Sequence, residues 1–381
     1  MRILFVSPYP PARDGIGTYT RVMSRGLGEA GHTCAVITPR PQPGAPAEVI
    51  GALGDTGLIE RISAFAPDVV HLQFAVPAFG ARTPAAVRLL GRLARLGVPV
   101  VATLHEVTRD TDLLGPAGRA LYRRIIRGCG RVIVHTGAAL DRALALGGAA
   151  ESAVVVPHFS AEPPPELRSA AELRAEHGLG DHRLLLMFGF VHVHKGLNDL
   201  VDALGRIHRE DPAVLSGTRL VIAGSVRRRS GPFRIFEAVD HLHFARVRRR
   251  ARRDGTAPLV VHTSYVPNGD IAGWFGASEA VILPYRKAEQ SGVANLARAY
   301  GKPVLATTAG GLAELFADSS WTVPPARPDR LAELIRSFLE TGGDHPDPVN
   351  EDLGLERVAA LTSEQYALAM RLAVKEAPGA A

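Results

Sequence analysis

The stretch "RILFVSPYPPARDGIGTYT", residues 2–20, opens the chain with an apolar run, a proline-rich turn and two glycines, Gly15 and Gly17, set just before a helix. The run lacks the polar alternation of a half-exposed strand, as expected of a strand covered on both faces. A buried strand followed by a glycine loop and a helix is the first unit of a wound α/β sheet.

The same alternation recurs outward from this stretch. "TCAVIT" (33–38), "DVVHLQ" (68–73), "VPVVATL" (98–104), "RVIVHT" (131–136) and "AVVVPH" (153–158) read as further buried strands separated by helix-length segments. Pro163, Pro164 and Pro165 then interrupt regular structure and mark a linker, followed by a polar helix. Alternation restarts with "RLLLMFGF" (183–190), "RLVIAGS" (219–225), "LVVHTSYV" (259–266), "EAVILPY" (279–285), "KPVLATT" (302–308) and "SWTVPP" (320–325). Two doubly wound α/β domains are therefore expected, over 1–165 and 166–352, with a C-terminal helix over 353–376 that could pack back on the first.

Length agrees with this division, since 381 residues exceed one ordinary core. No window approaches the ~18 apolar residues of a membrane span, and the first apolar run is too short for a signal peptide, so a cytoplasmic protein is expected. Cys34 and Cys129 stand apart from each other and from any Cys/His cluster, and read as two buried apolar thiols. The 44 Lys+Arg against 38 Asp+Glu favour anionic partners.

Gly15 and Gly17 do not read as a dinucleotide fingerprint. Eight residues separate Val6 from Gly15, no third glycine follows, and the second strand ends in "VITPR" without an acid for a ribose hydroxyl. The loop can still bring backbone amides close to a ligand.

Two stretches of the second domain suit phosphate. "FGFVHVHKGLNDLVDAL" carries Lys195 from a strand end to a helix start, where an ammonium can meet a phosphate as a point charge. "PYRKAEQSGVANLARAYGKPVLATTAGG" places Ser291 and Gly292 at the start of a helix over 292–300, whose unpaired amides and positive dipole end favour an anion.

The ordered set "SPYPPARDGIGTYT", "PDVVHLQ", "VVATLHE", "VVVPHF", "FGF....KGL..LV.AL", "LVIAGS", "YVPNGDI..WFGASEAVILPY" and "QSGVANLARAYGKPVLAT..GGLAEL" resembles glycosyltransferase family 4 across nearly the whole chain. That resemblance implies the GT-B fold, two Rossmann-like domains facing across a cleft, and retaining transfer of a sugar from a nucleoside-diphosphate sugar. It also implies roles. Gly15 and Gly17 resemble the first-domain loop that approaches the distal phosphate and sugar, with Gly17 and His105 the catalytic candidates. Lys195 resembles the diphosphate lysine, and Ser291, Gly292 and Val293 the loop whose amides hold the same diphosphate. Glu289 falls near the first glutamate of the family's E-x7-E motif. Pro284, Arg286, Glu289 and Gln290 are candidates for nucleotide or sugar contact.

Departures are also visible. The second glutamate of that motif falls on Leu296, or on Ala297 in a shifted register, and Phe190 stands where an arginine often accompanies the lysine. Arg286, Lys287 and Arg298 are the cations able to compensate. Asp14 and Glu106 are near enough in sequence to orient His105. Asp110 and Asp112 read as residues of a surface loop, and "HVH" (192–194) and "HLH" (241–243) as surface polar residues, so no metal or other cofactor is expected. An ammonium and a helix N-terminus can stabilise a leaving diphosphate without one.

"FAVPAFGARTPAA" (74–86) and "HEVTRDTDLLGPAGRALYRR" (105–124) read as loops that shape the acceptor site. Their residues suit a small polyol, a glycan, a lipid-linked sugar or a natural-product aglycone, and the Ala/Arg/Gly-rich composition fits small acceptors of specialised metabolism. Residues 226–255, with Arg227–Arg229 and Arg246, Arg248, Arg249, Arg250, Arg252 and Arg253, read as a solvated basic insertion or as a surface for anions or a membrane. Nucleic acid is not an expected partner, and no oligomeric state is implied. A nucleotide-sugar epimerase and a binding module without catalysis are the rival readings.

Overall fold

The computed structural model describes residues 1–12, 14–159, 166–226, 234–263, 265–289, 291–317, 319–342 and 354–376. Pro163–Pro165, Arg227–Arg229 and Gln290, named above, lie outside the described residues.

The chain divides into two compact units, Met1–Phe159 with Leu353–Ala381, and Ser160–Asp352. In the first, β1 (Arg2–Val6), β2 (Thr33–Thr38), β3 (Val49–Ala52), β4 (Val69–Phe74), β5 (Val100–Leu104), β6 (Arg131–Val134) and β7 (Ala153–Val155) form one parallel sheet. Its strand order is β3-β2-β1-β4-β5-β6-β7. In the second, β8 (Arg183–Phe188), β9 (Thr218–Ala223), β10 (Val260–Thr263), β11 (Ala280–Leu283), β12 (Val304–Thr307) and β13 (Thr322–Val323) run in the order β10-β9-β8-β11-β12-β13, also parallel.

Continuous apolar strands behave as their composition requires: Ile3–Val6 and all of β4, β5 and β6 are buried. Each sheet reverses its winding once, between β1 and β4 and between β8 and β11. There adjacent loops leave the sheet toward opposite faces and open a crevice at the strands' carboxyl ends.

Several sequence readings are corrected. β3, a short edge strand containing Gly51 with irregular register to β2, has too weak an apolar run to be read in advance. "SWTVPP" yields a strand of only two residues, since Pro324 and Pro325 can donate no ladder hydrogen bond. The stretches read as acceptor loops are largely helical: Val76–Phe79 and Thr83–Arg95 carry proline in the first turn, where it is tolerated, and Val107–Arg127 continues past a break at Gly115, just before Pro116. Asp110 therefore sits in a helix and not in a surface loop. It is buried and accepts from the Val76 amide at 2.7 Å and the Tyr122 hydroxyl at 2.8 Å, while Asp112 pairs with Arg142. Cys34 and Cys129 are half-buried rather than fully buried, with burial pushing the Cys129 thiol up to about 12.

The C-terminal helix Leu355–Glu376 packs on the first unit. Gly26, in the Gly15–Glu29 helix, makes the crossing possible, because a Cβ there would lie 2.7 Å from the Leu355 side chain. The Gln365 side-chain oxygen accepts from Arg131, and Tyr366 reaches His71 at 2.6 Å.

Candidate active site

In the second unit, Lys195 ends a short turn of helix, Val193–Lys195, that follows β8. Its Nζ donates to the Tyr285 hydroxyl and lies 3.8 Å from the centre of that ring, a cation on an aromatic face. Tyr285 follows β11, so Lys195 bridges the two strands that flank the winding reversal. The next residue, Gly196, has φ +69°, and a Cβ there would lie 1.7 Å from the Pro284 carbonyl oxygen. Only glycine combines that backbone with that approach. The Arg286 amide donates to the His194 carbonyl at 2.8 Å, tying the same two loops again.

Ser291 caps the helix Gly292–Ala299, its Oγ accepting from the Ala294 amide at 3.1 Å. The amides of Gly292 and Val293 belong to the first turn, which has no intrahelical acceptor for them. Gly292 is exposed with nothing within 4 Å of where its Cβ would be, whereas Val293 packs beside Gly189. A third loop arrives after β12: Gly310 presses on Ala288, whose carbonyl accepts from the Gly311 amide at 3.2 Å. Pro284 and Glu289 are buried in this loop cluster. Arg286 is held by both Asp199 oxygens at 2.6 Å, so its charge is already matched by a carboxylate. Lys195, Ser291, Gly292, Val293, Pro284, Glu289 and Arg286 thus come from the loops around one reversal point. A half-buried ammonium and an open helix start there can balance a diphosphate's charge.

The first unit presents a different polar group. His105 directly follows β5, is buried, and its Nε2–H donates to Gln73 Oε1 at 2.7 Å. The Gln73 amide donates to His71 Nε2 at 3.3 Å, which also accepts from the Thr103 hydroxyl at 2.8 Å, leaving His71 Nδ1–H for Tyr366. A hydrogen-bonded line therefore runs from the C-terminal helix to His105. Burial, and then the neighbouring histidines, hold His105 well below the ordinary imidazole range, so it is neutral near pH 7. Burial lowers His71 and His135 to about 3.

Tyr19, from the first helix, fills the centre of this group. Its ring lies 5.1 Å from His105, 5.5 Å from His135 and 4.8 Å from His158. The His135 Nδ1–H donates to the Val156 carbonyl at 2.9 Å, and its buried Nε2 has no partner among the described residues.

Gly15 and Gly17 begin the same helix, but on different terms. Asp14 caps it, accepting from the Ile16 amide at 2.9 Å and the Gly17 amide at 3.3 Å, so a carboxylate already offsets the dipole at this end. Gly17 is buried, with a Cβ placed 3.2 Å from the Pro8–Tyr9 backbone, whereas Gly15 is exposed and open. Asp14 and Glu106, read as partners for orienting His105, cap the helix and pair with Arg109 respectively.

Gln73, His71, His135, Tyr19, Tyr285 and Gly196 were not singled out by sequence reasoning. A signal existed for the first two: polar residues two apart in a strand buried on both faces share one side, and both need hydrogen-bond partners. His135 follows β6 as His105 follows β5.

Residues 13–159 match the model of Glycosyltransferase Family 4, and residues 182–341 that of Glycosyl transferases group 1. Among curated proteins, the chain is 25% identical over 297 residues to a D-inositol 3-phosphate glycosyltransferase of Paenarthrobacter aurescens, covering 71% of this chain and 67% of that one. It is 30% identical over 260 residues to the protein of that name from Frankia alni, covering 64% and 61%. The chain thus spans roughly two thirds of these relatives' length. Among solved structures it resembles sucrose-phosphate synthase from Thermosynechococcus elongatus (TM-score 0.75, 18% identity, 98% of this chain and 100% of that one). It also resembles Anabaena HepE in complex with UDP-glucose (TM-score 0.68, 17% identity, 98% of each chain).

Two parallel wound sheets, each with loops gathered at its own reversal, together with these matches define a glycosyltransferase of the GT-B fold. The chain belongs to glycosyltransferase family 4.

Proposed function

We propose that this glycosyltransferase moves a hexose, with retention and without a metal ion, from a nucleoside-diphosphate sugar to a small hydroxyl-bearing acceptor. The observation that carries the reading is the joining of Lys195, Tyr285 and the Ser291-capped helix start around the β8–β11 reversal. The second unit takes the nucleotide and diphosphate there, with Glu289 and Gln290 near the nucleotide or sugar. The first unit supplies His105 to the transferred sugar and the surfaces that hold the acceptor. Gly15 and Gly17 supply backbone that a ligand can approach.

In the reaction, the bond from the anomeric carbon to the β-phosphate oxygen breaks while the acceptor oxygen bonds to the same face. The acceptor's proton passes to the leaving phosphate. Negative charge grows on that phosphate, and Lys195 with the Gly292 and Val293 amides stabilises it without reorganising in the transition state. His105, neutral and fixed by Gln73, supplies a polar contact without competing for the proton. The relatives' name points to a phosphorylated polyol as the first acceptor to try.

The test begins with thermal shifts against UDP, GDP, ADP and their sugars, since stabilisation follows occupancy. The stabilising donor is then incubated with polyol phosphates, and the anomeric configuration of the product is read by NMR. Lys195→Ala is expected to weaken donor binding by about 2 kcal/mol, and near-normal turnover in that variant overturns the assignment. Loss of activity in EDTA overturns metal independence. An isomerised donor without acceptor would indicate an epimerase, and donor binding without turnover a binding module.

A further inference from the structure

The helix Arg234–Arg253 has two faces of opposite character. Its inner face seats Val247 and Ala251 in the core of the second unit, with Phe244 partly buried beside them. Asp240, buried on that side, accepts from the Val193 amide at 3.1 Å, so the helix is anchored to the turn that carries Lys195.

The outer face is apolar where a solvated helix would be polar. Ile235, Val239 and Leu242, at spacings of four and three, are 65%, 48% and 52% exposed. At 100° per residue these three fall on one stripe, opposite Asp240, Val247 and Ala251. The stripe continues C-terminally through Arg246 and Arg249, both exposed, which close no ion pair among the described residues. Arg250 and Arg253, by contrast, pair with Asp202 and Asp254. The helix is already fixed by its inner face, and the described residues leave the outer one exposed.

We infer that this outer face docks on an anionic lipid bilayer. Three aliphatic side chains on one stripe can enter the boundary between headgroups and acyl chains, and arginines one and two turns further along can meet headgroup phosphates. Charge complementarity selects the bilayer as occupant: the stripe carries two arginines and no acidic residue, so a second copy of this face offers them no counter-charge, whereas anionic headgroups do. The helix has 20 residues but is not apolar enough to cross a membrane, so it lies on the surface.

The full chain is sedimented with vesicles of phosphatidylcholine alone and with vesicles containing about one-third phosphatidylglycerol. It is expected to bind the anionic vesicles, to leave the neutral ones in the supernatant and to be released by high salt. Arg246→Ala with Arg249→Ala should weaken binding about 25-fold, from about fivefold per arginine at the surface. Ile235→Ser, Val239→Ser and Leu242→Ser together should abolish it. All five positions are exposed, so both variants should keep the parent's thermal midpoint, which checks folding. The inference is overturned if the parent chain ignores anionic vesicles, or if both variants bind as well as the parent. It is also overturned if light scattering shows a dimer that the serine variant loses, since a second copy would then cover the face.

Discussion

The carbonyl oxygen of Pro284 occupies the space where a side chain at Gly196 would start, with 1.7 Å between it and an added Cβ. The turn bearing Lys195 is therefore pressed against the turn after β11 at a position where φ is also positive. Gly196→Ala must displace one loop or the other, and should lower stability by about 2 kcal/mol or more while weakening donor binding. Lys195→Ala removes the charge without moving the backbone, so it should lose donor affinity at a smaller stability cost of about 1 kcal/mol, from the Tyr285 contact. Urea unfolding of the two variants, set beside donor titration, separates the effects.

Gln73 holds His105 by one buried hydrogen bond of 2.7 Å. Gln73→Leu should leave the imidazole Nε2–H unpaired, at a cost of about 1–3 kcal/mol in stability, and lower kcat about tenfold. Gln73→Glu keeps an acceptor in place and should recover part of the turnover. Equal loss of kcat in the two variants would show that the acceptor at position 73 does not matter.

His71, His105 and His135 are buried and lowered in pKa, His71 and His135 to about 3. A histidine lowered on folding binds its proton more tightly in the unfolded chain, so stability is lost as pH falls below the ordinary value near 6.5. His71 and His135 should each contribute a loss of about 1.4 kcal/mol per pH unit between about pH 6 and 4, and His105 acts in the same direction. Urea midpoints across that range should fall steeply with acid, and less steeply in His71→Asn. A flat profile would contradict the neutral cluster.

Gly15 and Gly17 make opposite predictions despite standing two residues apart. Gly17→Ala forces a Cβ to 3.2 Å from the Pro8–Tyr9 backbone and should destabilise by about 1–2 kcal/mol. Gly15→Ala meets nothing within 4 Å, so stability should hold or rise slightly while turnover falls as the ligand's approach is blocked. Thermal midpoints and turnover of both variants decide it, and a fully active Gly15→Ala enzyme removes Gly15 from the site.

The strands were legible because burial on both faces leaves a run of β-branched and aliphatic residues that few other elements share. β3 was not, since its place at the sheet edge depends on pairing with β2 and not on its own composition. Lys195 and Ser291 were legible because an ammonium or a helix cap after a buried strand is a local pattern. The helical nature of 74–86 and 105–124 was hidden behind Pro77, Pro84 and Pro116, which look like breakers until they are seen in first turns or beside the Gly115 break.

The amino-acid sequence by itself determined two wound parallel sheets and the family, because periodicity and motif order are local and add along the chain. Only the tertiary structure decided which groups answer to which. Gln73 bonds His105, Tyr366 from the far end of the chain closes the line through His71, and Asp199 takes Arg286. Those partners are brought together by strand register and helix crossing, which fix separations of 32 to 295 residues in sequence at hydrogen-bond range.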